Sequence, residues 1–357
     1  MNKYLFSHLS KQGMELIIVD VPQPKILRFI ALFYTFCLPV KLWKKRFDGY
    51  LAKLHKTAWA FNWRSKFCER KLKEYKGKYD QILQIAGMFA PFSGNRLRND
   101  YAIMLSYNME LSRKYPQWAS WPREIEKWVR LEKKLYQNAK TIFTTNENVR
   151  KSLIKDYGVP ENKVITVGYG LTFDNLPEFE KTYDGKTILF IGMDFERKGG
   201  FILLEAFKKV KQAIPDACLV IIGPDKDTLK INQPGVEILG CIRDRKIIEE
   251  NYKKASVFVM PSLCEPFGLV FLEAMAYKLP CIGTNVDAMP EIIEDGKTGF
   301  LVPLNDINSL ANKLINLLRD PALMNRIGTD AYSTLKLKFS WFNVANRIDI
   351  ALKDKIT

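Results

Sequence analysis

The chain has 357 residues, enough for two domains of ordinary size, and 47% of it is apolar, so a sizeable core is available. Its net charge of +16 sits in the first half: through residue 176 there are 31 Lys plus Arg against 15 Asp plus Glu, and beyond it 24 against 24. Six scattered cysteines without a Cys-x-x-Cys pair exclude a disulfide scaffold and read as buried thiols of a reducing cytosol. Only two histidines, His8 and His55, are present, neither at metal-ligand spacing, which argues against zinc.

No cleavable leader pattern opens the chain. The pattern predicts a helix over residues 4–12, ended at Gly13, and a strand over 15–21. An apolar run, residues 26–40, follows, interrupted by Arg28 and Pro39. It is too short for a transmembrane helix, which needs roughly 20 apolar residues. Residues 41–78 then hold 13 basic and 3 acidic side chains interleaved with Trp43, Phe47, Tyr50, Trp59, Phe61, Trp63 and Phe67. An apolar stretch joined to Lys, Arg and Trp has the composition of a segment lying in an anionic headgroup layer. A solvated basic face over core aromatics is the competing reading. Nucleic acid is set aside because no recognition motif accompanies the charge.

Four more strands are predicted at 81–86, 101–105, 141–144 and 163–167, with helices over 122–139 and 146–157 between them. This implies a parallel sheet. The polar, proline-containing stretch 174–185 reads as a linker and hinge between domains 1–175 and 176–340, and a last helix is expected from Ser340.

The second half carries the chemistry. A strand over 187–191 runs into Gly192-Met193-Asp194-Phe195-Glu196-Arg197-Lys198-Gly199-Gly200 and an amphipathic helix. Adjacent cations at the carboxyl end of a strand suit a diphosphate, Lys198 as a point charge and Arg197 as a fork. A solvated basic turn is the plainer alternative. A second strand, 257–262, leads to Glu265-Pro266-Phe267-Gly268-Leu269-Val270-Phe271-Leu272-Glu273 and another helix. Backbone amides of Gly268, Leu269 and Val270 at that helix start suit an anion. Eight residues of helix span roughly 12 Å, too far for Glu265 and Glu273 to flank one glycosidic bond as acid and base at roughly 5–9.5 Å. Separate tasks fit better, Glu265 towards hydroxyls beyond the phosphate and Glu273 towards a diol such as a ribose. A capping glutamate and a half-exposed helical glutamate are the plainer pair. Asp225-Lys226-Asp227 is an Asp-x-Asp that could bridge a divalent cation to a diphosphate; a surface turn is preferred, because the cationic loop already supplies the counter-charge.

Residues 187–345 resemble the nucleotide-binding half of retaining glycosyltransferases of the GT-B fold, family 4. The resemblance rests on Arg197-Lys198-Gly199-Gly200, Ile222-Gly223-Pro224, Pro261-Ser262, Glu265 through Glu273, Pro290-Glu291-Ile292-Ile293 and Gly299-Phe300-Leu301-Val302. It implies an α/β protein of two Rossmann-like domains facing across a cleft, with residues 341–357 crossing back to the first. It implies that Arg197 and Lys198 hold the diphosphate of a nucleotide-sugar donor and that Glu265 contacts the sugar. The amides of Phe267, Gly268, Leu269 and Val270 would touch phosphate and sugar, Glu273 would bind the ribose, and Cys241 and Ile242 would border the base. No metal or other cofactor is expected. The implied reaction is hexose transfer with retention to a saccharide or lipid-linked acceptor, in the cytoplasm or on the cytoplasmic face of a membrane. Three departures leave a non-catalytic nucleotide-binding protein as the alternative. Met193 stands where many members carry Arg, no counterpart of the N-terminal histidine is found around Ser106-Tyr107-Asn108, and the opening strand and glycine turn of the first domain are missing.

Overall fold

The computed structural model describes residues 2–36, 40–93, 100–115, 124–171, 173, 176–225 and 229–353. The chain divides into two compact units, Leu9–Val167 and Gly168–Thr357, the second joined by Met1–His8.

Helix α1 (Asn2–Lys11) stops before Gly13, whose φ of +89° suits glycine. Residues 14–24 then run without strand pairing, so the strand expected at 15–21 does not form. The apolar run Leu16 to Val19 is genuine, but Ile17 and Ile18 are both exposed and no sheet edge takes the segment. Extended backbone becomes a strand only through a partner.

The apolar run and the basic, aromatic stretch are helical: α2 (Ile26–Thr35), α3 (Val40–His55) and α4 (Ala58–Glu74). The Thr57 hydroxyl accepts from the Ala60 amide at 3.3 Å and caps α4. That helix buries Phe61, Arg64, Ser65, Cys68 and Leu72 at helical spacing and turns Trp59 outward. The buried Arg64 guanidinium donates to the carbonyls of Met88 (2.9 Å) and His55 (2.8 Å) and to Gln23 (2.7 Å). Burial lowers it to about 10.

The first sheet is parallel throughout, in the order β1 (Ile82–Ile85), β2 (Tyr101–Leu105), β3 (Thr141–Thr144), β4 (Val164–Thr166). All four strands match the sequence expectation. Helices α5 (Met109–Arg113) and α7 (Glu147–Lys155) are capped by Asn108 and Asn146, whose side chains each accept an amide three residues on at 2.9 Å. Between them α6 (Ile125–Gln137) buries Trp128 and Leu135 in the core; the expected start at 122 lies outside the described residues. Among the described residues no helix is long and apolar enough to cross a membrane.

The second sheet is also parallel, but its order reverses: β10 (Gly299–Val302), β9 (Cys281–Thr284), β8 (Val257–Met260), β5 (Thr187–Ile191), β6 (Cys218–Ile222), β7 (Val236–Gly240). Helices α8 (Gly200–Ala213), α9 (Arg245–Lys254), α10 (Leu269–Ala276), α11 (Met289–Ile292), α12 (Ile307–Leu318), α13 (Pro321–Lys338) and α14 (Trp341–Lys353) accompany it. Trp341 of α14 packs against Tyr169, their rings tilted with centroids 5.0 Å apart, and the Leu171 amide donates to the Phe339 carbonyl at 3.0 Å. Of the stretch read as a linker, Lys181, Tyr183 and Gly185 are bonded to the carbonyls of Ala255 and Lys278 and to the Ser256 hydroxyl. Cys68, Cys264 and Cys281 are buried as expected, whereas Cys241 is exposed because it lies just past the end of edge strand β7; Cys37 lies outside the described residues.

Candidate functional site

Strands β5 and β8 are neighbours, paired at Ile188↔Val257 and Leu189↔Phe258, and here the order of the second sheet turns round. Crossovers on either side of such a point leave in opposite directions, so a crevice opens beyond the carboxyl ends of the two strands. The loop after β5 and the loop after β8 are those that carry Arg197-Lys198 and Glu265-Pro266-Phe267-Gly268.

The two loops are laced together. Lys198 Nζ forms an ion pair with Glu265 Oε2, and the Ser262 hydroxyl donates to the same carboxylate oxygen at 3.2 Å. The lysine side chain is 15% exposed and the glutamate side chain 5%. Arg197 Nε donates to Asp194 Oδ2 at 3.0 Å and its Nη1 to the Cys264 carbonyl at 3.0 Å. Its own carbonyl accepts from the Leu263 amide at 2.8 Å. Arg197 thus ties the β8 loop down, while Lys198 faces the buried carboxylate.

Glycine makes this approach feasible. Gly199 has φ +74° at the start of α8, and a Cβ there would sit 1.9 Å from the Pro261 carbonyl oxygen. Gly268 has φ +80° at the start of α10, where a Cβ would press on Met289 and Phe271. The first amides of α10, at Leu269 and Val270, have no carbonyl one turn earlier in the helix to take them. Phe267 is buried with its ring 4.9 Å from Tyr169, so its side chain packs into the unit.

Glu273, two turns into α10, belongs to a different cluster. Its carboxylate accepts from Tyr252 Oη at 3.0 Å and from Arg245 Nη1 at 3.3 Å, and the Arg245 guanidinium lies over the Phe173 ring at 4.5 Å. Burial, and then the charge of Glu273, push the Tyr252 phenol well above its ordinary value. The two glutamates therefore have separate partners, as their spacing implied. Beyond β7, Cys241 is exposed and Ile242 half-buried after Gly240, whose carbonyl accepts from the Gly223 amide at 2.8 Å. Met193 is exposed after β5.

Sequence reasoning missed Asp287, Ser262, Arg245 and Tyr252 as neighbours of these groups. Asp287, at φ +47° in the loop after β9, accepts the Glu265 amide at 2.9 Å through Oδ2. Its signal was available, a carboxylate at the end of a strand adjoining β8. Arg245 and Tyr252 sit on a helix with no local motif and gave none. Among the described residues no three His, Cys, Asp or Glu are grouped to hold a metal ion. Asp225 is described, whereas Lys226 and Asp227 of the Asp-x-Asp lie outside the described residues.

Comparison with known proteins agrees with this half of the chain. Residues 185–320 match the family described as glycosyl transferases group 1. The phosphatidyl-myo-inositol mannosyltransferase of Mycobacterium leprae (strain TN) is 33% identical over 171 residues, 46% of this chain and 45% of that protein. The capsular polysaccharide biosynthesis glycosyltransferase CapM of Staphylococcus aureus is 27% identical over 242 residues, 60% of this chain and 63% of that one. The chain thus spans about half the length of the mannosyltransferase and under two thirds of CapM. In three dimensions it is similar to the sucrose-phosphate synthase of Thermosynechococcus elongatus, with a TM-score of 0.62, 20% identity and coverage of 82% of this chain and 77% of that one. It is also similar to Anabaena Alr3699/HepE in complex with UDP and glucose, with a TM-score of 0.59, 18% identity and 80% of each chain covered. At those identities the likeness shows the fold, two parallel α/β domains of the GT-B type.

Proposed function

We propose that this chain, whose residues 185–320 form a group 1 glycosyltransferase domain, is a retaining glycosyltransferase. It moves a hexose from a nucleotide-diphosphate sugar to an acceptor hydroxyl. The observation that carries the reading is the meeting of Lys198, the Glu265 carboxylate and the start of α10 at the strand-order reversal. A leaving diphosphate gains negative charge in the transition state, and a fixed ammonium plus the first amides of a helix stabilise such charge without reorganising. Glu265 is the group to accept hydrogen bonds from the sugar, and Glu273 from the ribose, in place of its Tyr252 and Arg245 partners. Cys241 and Ile242 border the base, and Arg197 acts by holding the β8 loop against β5. No metal is assigned a role. The names of the relatives, one acting on a phosphatidylinositol and one in capsule synthesis, support a saccharide or lipid-linked acceptor and a place in polysaccharide or glycolipid assembly. The chain is assigned to the cytoplasmic face of a membrane.

The test is a thermal-shift screen of nucleoside diphosphates, followed by transfer assays from the matching sugar donors. A preferred ligand at 100 times its Kd stabilises the native state by about 2.7 kcal/mol. Lys198→Ala and Glu273→Ala are each expected to weaken that ligand at least about tenfold, since each deletes a charge-assisted hydrogen bond of about 1.5–3 kcal/mol. Stabilisation by none of the nucleoside diphosphates would refute the reading. The exposed Met193 at the end of β5, where the resembled family often carries Arg, favours one second reading, a protein that binds the nucleotide without transfer. Binding lost in both variants with no transfer to saccharide or lipid extracts decides for it.

A further inference from the structure

We propose that the outer face of α2, with the cations of α3 beside it, is a docking surface for an anionic lipid bilayer. Helix α2 has apolar residues on both sides. Leu27, Ala31 and Thr35, four apart, are buried and form its inner face. The outward face carries Ile26, Phe29, Leu32, Phe33 and Tyr34, and Phe36 continues it; Phe29 is 67% and Phe33 84% exposed. A surface helix ordinarily shows charge on that side. A contiguous exposed patch of this kind marks a contact with something apolar.

Charge selects the occupant. Between residues 25 and 53 the sequence holds seven basic residues and one acidic residue, Asp48. Arg46 and Lys53, two turns apart on α3 and so on one side of it, line an open depression of about 380 Å³ together with Tyr34, Thr35, Gly49 and Tyr50. Among the described residues its lining contains no carboxylate. Cations in a recess rimmed by aromatic rings, immediately beside an apolar face, match the two layers of a membrane surface, phosphate above and acyl chain below. A second copy of this chain would set the same cations against each other. Ten residues of α2 rise roughly 15 Å, half the hydrocarbon thickness of roughly 30 Å, so the helix lies in the interface plane and does not span. This deepens the membrane part of the function proposed above, naming its contact surface, and it involves none of the residues assigned to the nucleotide.

The experiment is co-sedimentation of the full chain with phosphatidylcholine vesicles containing or lacking about 30% phosphatidylglycerol, at low and physiological salt. Wild type is expected to bind the anionic vesicles at least about tenfold more tightly than the neutral ones, and less tightly as salt rises. The pairs Phe29→Ser with Phe33→Ser, and Arg46→Gln with Lys53→Gln, are each expected to reduce binding at least about tenfold. All four side chains are solvent-facing, so an unchanged melting temperature certifies the fold independently of nucleotide. Equal binding to neutral and anionic vesicles overturns the proposal, as does undiminished binding by either folded double variant. A stable dimer in light scattering that the Phe29/Phe33 variant dissolves also overturns it, assigning the face to a second copy. Nucleoside diphosphate binding, measured on the same preparations, reports separately on the C-terminal site.

Discussion

The ion pair between Lys198 and Glu265 makes a sharp prediction, because the two side chains come from different loops and only one is near water. Lys198→Met keeps the length of the side chain and removes the charge, leaving Glu265, 5% exposed, with the Ser262 hydroxyl but without its cation. Breaking a buried pair by removing one partner costs about 3–5 kcal/mol. Ser262 remains and the lysine end of the pair is 15% exposed, so the lower bound, about 3 kcal/mol, is the expected loss. Glu265→Gln should cost less, about 1–2 kcal/mol, since water can reach the stranded ammonium. In the double variant both charges are gone, and the loss should fall short of the sum by at least about 1.5 kcal/mol, beyond the roughly 0.5 kcal/mol that independent sites show. Calorimetry of the full chain, where each unit can give its own transition, is the assay. For a domain of this size about 3 kcal/mol lowers Tm by roughly 6–12 °C. Additive losses would refute the reasoning and make Lys198 a solvated surface cation.

Two further outcomes are expected. Gly199→Ala should destabilise the C-terminal unit by about 3 kcal/mol or more, because a left-handed backbone costs about 1–2 kcal/mol and the new Cβ must displace the Pro261 carbonyl, which is backbone and cannot swing aside. Gly240→Ala is the control: its φ is also +74° but nothing lies within 4 Å of the added carbon, so only the about 1–2 kcal/mol conformational cost should appear in urea titrations. In the N-terminal unit, burial raises the Glu132 carboxyl above its ordinary value, against hydrogen bonds from Tyr157, Trp128 and the Met109 amide. An acid raised in the folded state keeps its proton where the unfolded chain has lost it, so stability should fall as pH rises from about 4.3 towards the folded value. Glu132→Gln should flatten that slope in pH-dependent unfolding; a slope unchanged in the variant would place its origin elsewhere.

The C-terminal site was legible because its motifs are local and the topology that unites them is a general property of parallel sheets. Arg197-Lys198 and Glu265 each announce a strand end in their own sequence. That they face one another follows from β5 and β8 lying side by side, which a strand-loop-helix reading of each segment implies but does not locate. Asp287 shows the limit: its local sequence is an ordinary loop, and its relation to the Glu265 amide exists only after β9 has been placed beside β8. Arg197 shows another. Side chains adjacent in sequence point in different directions, so the basic pair did not announce that Arg197 reaches the Cys264 carbonyl while Lys198 reaches Glu265.

The N-terminal half was harder for a physical reason. Its four core strands were readable because each is a short apolar run, but residues 15–21 hold the same kind of run and remain unpaired, since an apolar pattern reports what a segment could bury and not whether a partner edge exists. The consequence reaches function. With the order β1-β2-β3-β4 the described sheet has no reversal, and hence no crevice of the kind that the strand order implies beyond β5 and β8. What the N-terminal half offers instead is surface: a run of helices, α2 to α4, that precedes β1, with aromatic side chains facing outward on α2 and cations on α3. The charge asymmetry of the sequence therefore has its structural counterpart in two units of the same α/β class. One has a topology suited to gripping a small anionic ligand, and the other has a composition suited to meeting an extended anionic surface.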